Sequence, residues 1–171
     1  MSGEKLRILF VSSSSGSQGG GELYLLYLGE ALSQRGHEVI LWASDHGRMD
    51  ELCVTFAKFG QVVRAAYSNT YDYPLRAIQH MPSLVRRHKD LADSWNALKP
   101  DVIHLNKQCL EDGLDLLVAA DYQTTPHLAF LHITQSASYL KAKHAGPRDW
   151  ISRILLNRYT GPIISHSNRI A

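Results

Sequence analysis

The chain has 171 residues, 44% hydrophobic and 20% charged, with a formal net charge of +2. That length and balance suit one globular domain with a substantial core, and so small a charge, without interleaved aromatic and basic residues, argues against a nucleic-acid partner. Cys53 and Cys109 lie in unrelated segments without metal-ligand spacing, the opening LRILFV run is too short for a signal peptide, and no apolar run approaches the roughly 18 residues of a membrane span, so the reading is a cytoplasmic protein unless it sits on a membrane surface.

Leu6–Ser12 reads as a buried strand, followed by a polar, glycine-rich loop from Ser12 to Gly21. From Glu22 to Arg35, Leu23, Leu26, Tyr27, Glu30, Ala31 and Gln34 recur at three- and four-residue steps, which predicts a helix that Gly36 ends in the left-handed conformation. His37–Ser44 is the second strand. Gly47–Gln61 predicts a helix with Met49, Leu52, Cys53 and Phe56 on one face, and Gln61–Tyr67 a third strand. Pro74–Leu98 carries helical spacing through Leu75, Ile78, Leu84, Val85, Leu91 and Trp95, with Pro82 inside it, so a kink or two helices are expected. Pro100–Asn106 is the fourth strand, Glu111–Tyr122 a helix, Pro126–Ile133 the fifth strand, Arg148–Tyr159 a basic amphipathic helix and Pro162–Ser167 the sixth strand. Thr134–Pro147 is a second sizeable irregular stretch of the kind that is functional or disordered. The closing SHSNRIA resembles a strand end and the first turn of another helix, as in a piece of a longer protein. This alternation predicts an α/β fold: one Rossmann-like domain over residues 1–171, a doubly wound parallel sheet of about six strands with helices on both faces.

In such a sheet, ligands bind beyond the carboxyl ends of the strands. With the order 3-2-1-4-5-6, the tips of strands one, four, five and six share one rim: Ser13 to Gly21; His104, Asn106, Lys107 and Gln108; His132, Thr134, Gln135 and Ser136; Ser165 to Asn168. A helix starting near Glu22 would offer unpaired N–H groups and a partial positive charge, and Gly19, Gly20 and Gly21 would let an anion approach them. The run spells neither G-x-G-x-x-G nor a P-loop, and a mobile turn with a serine cap is the plainer alternative. His104, His132 and His166 end three strands, yet no carboxylate or thiol joins them at ligand spacing, so no metal is expected. A contact to a sugar hydroxyl or a proton shuttle suits them better, with a satisfied half-buried histidine as the alternative for any one of the three. No G-x-S-x-G elbow is present, and Cys109 reads as a buried helix residue rather than a nucleophile.

The stretch GGGELYLLYLGEALSQRGHEVILWAS, with KPDVIHLN, HLAFLHITQ and PIISHSNRIA, resembles the N-terminal domain of retaining glycosyltransferases of the GT-B, family 4 group over nearly the whole chain. The resemblance implies one half of a two-domain enzyme that moves a sugar from a nucleotide-sugar donor to a saccharide or lipid-linked acceptor, as in polysaccharide biosynthesis, with no metal or other cofactor. It places Gly19, Gly20 and Gly21 at the donor's diphosphate or sugar, His132 as the catalytic residue near the reacting carbon, and His104, Asn106, Thr134, Gln135 and Ser136 toward the acceptor. Ile133 stands where many relatives carry an acidic residue, and the C-terminal donor-binding domain is absent, so the chain is expected to be inactive alone. Residues 141–159 combine Lys141, Lys143, Arg148, Arg153 and Arg158 with Trp150, Ile151, Ile154, Leu155 and Leu156, which could dock peripherally on the inner face of a membrane or pack as an ordinary helix. Two other readings stay open. One is an NAD(P)-binding oxidoreductase with Asp45 as ribose ligand, and the other a non-catalytic module that pairs with a separate donor-binding subunit.

Overall fold

The computed structural model describes residues 4–13, 19–69 and 81–165, without the side chains of 81–87. Short apolar runs form six parallel strands: β1 (Arg7–Ser12), β2 (Glu38–Ser44), β3 (Gln61–Ala65), β4 (Val102–Lys107), β5 (His127–Leu131) and β6 (Ile163–Ser165). They lie in the order β3-β2-β1-β4-β5-β6, as the sequence predicts. Between them run α1 (Gly20–Gln34), α2 (Asp50–Phe56, after a 3-10 turn at Gly47–Met49), α3 (Met81–Asn96), α4 (Leu114–Asp121) and α5 (Ala145–Arg158).

Successive strand residues point to opposite faces, and the two faces bury different partners. Phe10 and Leu41 pack with Leu25 of α1 and with Met49, Leu52, Cys53 and Phe56, the face expected of the second helix. Leu9, Trp42, Ile103, Leu105 and Ala129 pack on the other side with Trp95 of α3, Leu117 of α4 and the half-buried Ile151 and Leu155 of α5. Trp42 and Trp95 meet edge to face with ring centroids 5.9 Å apart. The sheet is thus covered on both sides, which is why its strands are apolar at consecutive positions rather than at alternate ones.

Element boundaries differ from expectation in ways that bear on the site. α1 starts at Gly20 rather than near Glu22, with Gly19 as an extended N-cap residue, so two of the three loop glycines are helical. Pro82 is the second residue of α3, in the first turn, where its missing N–H costs no helical hydrogen bond, so it is no mid-helix kink. The Pro74–His80 part of that expected helix lies outside the described residues, as do Ser14 to Gln18 and His166 to Ala171. Gly36 does leave α1 in the left-handed region, at φ +91°. α4 starts later than expected because Gly113, at φ +53°, turns the chain just before it.

Gly60 closes the α2–β3 turn against β2. A Cβ there would lie 2.8 Å from the Val39 carbonyl oxygen, which belongs to a central strand and cannot retreat. Gly60→Ala should therefore lower stability by about 1–3 kcal/mol through overpacking, read as a lower urea midpoint at unchanged slope.

Candidate functional site

β1, β4 and β5 lie near the middle of the sheet, so the start of α1 falls beside the tips of β4 and β5. On β4, His104 and Asn106 share the α1 face of the pleat. On β5 and just beyond it, Phe130 and His132 do the same, with Asn106 opposite Phe130 in register. The ladder runs on past β5: the His132 amide donates to the Lys107 carbonyl at 3.1 Å and the Ile133 amide to the Gln108 carbonyl at 2.9 Å.

The buried Asn106 amide links both neighbours. Its Nδ2 donates to the Gly21 carbonyl at 3.4 Å, which turns Oδ1 toward His132 Nε2 at 2.8 Å. An amide oxygen only accepts, so His132 Nε2 carries a proton. The half-buried ring of Tyr24 stacks on Phe130 at 4.2 Å and stands roughly edge-on to His132 at 5.3 Å. Burial raises the Tyr24 phenol above its ordinary pKa, so it stays un-ionised at neutral pH.

The glycines divide by task. A Cβ on Gly20 would meet nothing within 4 Å, whereas one on Gly21 would overlap the Gln108 side chain. Gly21 is therefore the notch into which Gln108 fits, with Gln108 Nε2 donating to Glu22 Oε1 at 3.3 Å. Gly20 remains as the exposed first residue of the helix, where backbone N–H groups lack intrahelical acceptors.

His104 lies a layer below the rim. It is 5% exposed, with Phe10, Tyr24 and Phe130 around its ring at 5.1, 5.9 and 6.2 Å. Burial, then the nearby His132, lowers its pKa to about 4. It is a neutral, buried wall residue in the middle of β4, two residues before Asn106. Thr134 is buried, Gln135 exposed, and Ser136 opens a turn in which its Oγ accepts from the Tyr139 amide at 3.1 Å. Asp149 of α5 ties that turn down by accepting from the Ala137 and Ser138 amides at 2.7 and 3.0 Å. Burial pushes the Asp149 carboxyl up, but the hydrogen bonds from Ser138 and Ala137 outweigh it and hold the pKa below the usual value.

A second polar cluster, not singled out by the sequence, lies on the opposite face. Asp112 accepts from Asn69 Nδ2 at 2.6 Å, from the Gln108 amide at 2.7 Å and from Ser13 Oγ at 3.4 Å, which joins the loops after β1, β3 and β4. Lys107 beside it is 3% exposed. Burial drives its amine toward neutrality, while Asp112, Cys109 and Asp115 favour the charge. Burial also raises the Cys109 thiol, so it is no activated nucleophile. Among the described residues, no group of three or more His, Cys, Asp or Glu side chains is arranged to hold a metal ion.

On α5, Ile151, Leu155 and Leu156 pack against the core. The apolar groups left exposed in this region are Trp150 (66%), Tyr139 (69%) and Leu140 (53%). Among the described residues no helix is long and apolar enough to cross a membrane.

A parallel sheet in this order, covered by helices on both faces, is a Rossmann-like architecture of the kind found in GT-B glycosyltransferases. The sequence places it further: residues 18–171 match the profile of Glycosyltransferase Family 4, and the chain belongs to that family. Among solved structures it is similar to a glycosyltransferase from Rickettsia africae ESF-5, with TM-score 0.53 and 14% identity over 94% of this chain and 42% of that one. It is also similar to a protein assigned as a UDP-N-acetylglucosamine 2-epimerase from Listeria monocytogenes, with TM-score 0.53 and 11% identity over 89% of this chain and 38% of that one. The chain therefore spans about two-fifths of the length of these relatives, and at such identities the likeness is one of fold. No curated protein matches it significantly in sequence.

His104 gives the site a pH signature. Its pKa is depressed from 6.5 to about 4 in the folded chain, so as pH falls through that window the unfolded chain takes up a proton that the native one refuses. Native stability should drop by roughly 2–3 kcal/mol between pH 7 and pH 4.5 from this residue. Urea unfolding of His104→Phe should show that acid limb flattened by the same amount.

Proposed function

We propose that this chain forms the acceptor-side half of an enzyme that moves a sugar from a nucleoside-diphosphate donor to a hydroxyl of a saccharide or lipid-linked acceptor, with retention at the anomeric carbon. The observation that carries the reading is the link through Asn106, which donates to the Gly21 carbonyl in the first turn of α1 and accepts from His132, with space left at Gly20. Family membership and the similarity to a glycosyltransferase fold support it.

In transfer, the bond from the anomeric carbon to the diphosphate oxygen breaks as the acceptor oxygen bonds to that carbon, and the acceptor's proton leaves with the nucleoside diphosphate. Negative charge grows on the leaving phosphate, and amides at a helix N-terminus stabilise it without reorganising, so no metal is required in this reading. His132 contacts a sugar hydroxyl beside the reacting carbon, with its Nε2–H donating to Asn106. Gln135 and Ser136 face the acceptor. The remaining donor contacts belong to a second domain, so residues 1–171 alone are inactive, and the nucleotide-sugar substrate places the reaction in the cytoplasm.

Transfer by the natural full-length polypeptide from a panel of nucleotide sugars should fall about 100-fold or more in His132→Ala, while residues 1–171 alone should turn over none of them. Unchanged transfer by the variant, or robust transfer by the isolated chain, would sink the corresponding part of the proposal.

For a lipid-linked acceptor, the exposed Tyr139, Leu140 and Trp150 beside the exposed Lys141, Lys143 and Arg153 form an interfacial anchor next to the rim. Vesicles containing anionic phosphatidylglycerol should co-sediment the protein. The Tyr139→Ser/Trp150→Ser double variant should stay in the supernatant, and binding equal to that of the unaltered chain would remove the anchor.

A further inference from the structure

The segment after β5 takes its shape from its own hydrogen bonds and is joined to α5 by Asp149. Ser136 opens a single turn in which the Leu140 amide donates to the Ser136 carbonyl at 3.0 Å and the Ala142 amide to the Ala137 carbonyl at 2.9 Å. From α5, the Asp149 carboxylate spans two successive amides of that turn. Its Oδ1 accepts from the Ala137 amide at 2.7 Å, and its Oδ2 from the Ser138 amide at 3.0 Å and from the Ser138 hydroxyl. Ser138 and Asp149 are thus in direct contact, and the residues that follow them, Tyr139 and Trp150, come from adjacent backbone, both exposed, as is Leu140. Lys141 and Lys143 lie in the same segment and Arg153 three residues beyond Trp150 on α5, all of them exposed. Asp149 sets a negative charge into this basic surface, and its oxygens are engaged by the turn.

We infer that Asp149 is the positioning residue of the interfacial anchor: by docking the 136–142 turn on α5 it sets Tyr139 and Leu140 on one surface with Trp150, so that the three enter an anionic lipid surface as a unit. The inference rests on the proposed lipid contact for its function, but the docking of the turn stands apart from that contact. A side chain entering the interface gains by burying apolar area, and ordering the backbone that carries it offsets part of the gain. A turn docked beforehand has met that cost before the membrane is reached. Net charge alone predicts the reverse. An anionic surface repels a carboxylate, so its removal should strengthen binding about fivefold. Loss of the docking contact weakens binding instead, and the two effects have opposite signs.

Two measurements separate the docking from the lipid contact. Without lipid, the Ala137 and Ser138 amides should exchange hydrogen about 10-fold or more faster in Asp149→Ala than in the unaltered chain, with the β4 amides unchanged as a check on the fold. On vesicles of phosphatidylglycerol and phosphatidylcholine, the same variant should bind about 10-fold more weakly. Asp149→Asn makes the same change of charge but keeps one acceptor oxygen. It should fall between the other two chains in both measurements, and it serves if the alanine variant folds poorly. Unchanged exchange at Ala137 and Ser138 in a folded variant would overturn the positioning role. So would vesicle binding equal to or stronger than that of an unaltered chain that binds. If exchange quickens but the unaltered chain itself stays in the supernatant, the anchor fails and the docking of the turn by Asp149 stands.

Discussion

The amide of Asn106 is the joint on which the rim depends. It reaches 85 residues back along the chain to the Gly21 carbonyl and 26 residues forward to the His132 ring, both from a buried position. A buried amide has to find partners for its donors and its acceptor, since leaving either unpaired costs about 1–3 kcal/mol. Here the helix start supplies the acceptor and the imidazole supplies the donor. A carboxylate in its place could still accept from the imidazole but would press an anionic oxygen against the Gly21 carbonyl. The chemistry of the rim therefore calls for an amide at this position.

A matching constraint holds the other side of the sheet. Asp112 gathers the ends of three loops by accepting from Asn69, the Gln108 amide and Ser13, which satisfies a buried side chain that would be costly to leave unpaired. The two hubs meet at Gln108, whose amide is held by Asp112 and whose side chain fills the notch at Gly21. The position of α1 is thereby coupled to the Asp112 cluster.

Much of the fold was legible because strand and helix patterns are local. Apolar runs such as HEVILWAS, helical spacing such as that of Met49, Leu52, Cys53 and Phe56, and a chain-reversing glycine at Gly36 each declare themselves within a few residues. The strand order followed from the alternation of elements. The site was legible only in outline. His132, Asn106 and Gly20 could be named from their places at strand and helix ends. The burial of His104, the packing of Gln108 against Gly21, the hub at Asp112 and the ring contact from Tyr24 all depend on partners tens of residues away in the chain. The signal available for Tyr24 was its spacing: counted from Gly20 and Gly21 it falls one turn along, on the side of α1 that faces β4. For α5, the pattern was read twice over: Ile151, Leu155 and Leu156 cannot both cover the core and face a lipid surface, and the structure assigns them to the core.

Similarity to both a glycosyltransferase and a protein assigned as an epimerase is a likeness of fold, and a fold by itself leaves open which chemistry it hosts. What distinguishes this chain is which side chains the pleat delivers to the α1 face. His104 and Asn106 are two residues apart on β4, and Phe130 and His132 two apart at β5, so each pair shares that face, while Leu105, Lys107, Ala129 and Leu131 turn the other way. A slip of one residue in either strand would exchange the sets, sending His132 or Asn106 into the apolar layer and bringing leucines to the rim. Burial of Leu105 and Ala129 in the layer beneath α4 thus fixes the register, and with it the approach of Asn106 to His132. The apolar side of the sheet is what specifies the polar one.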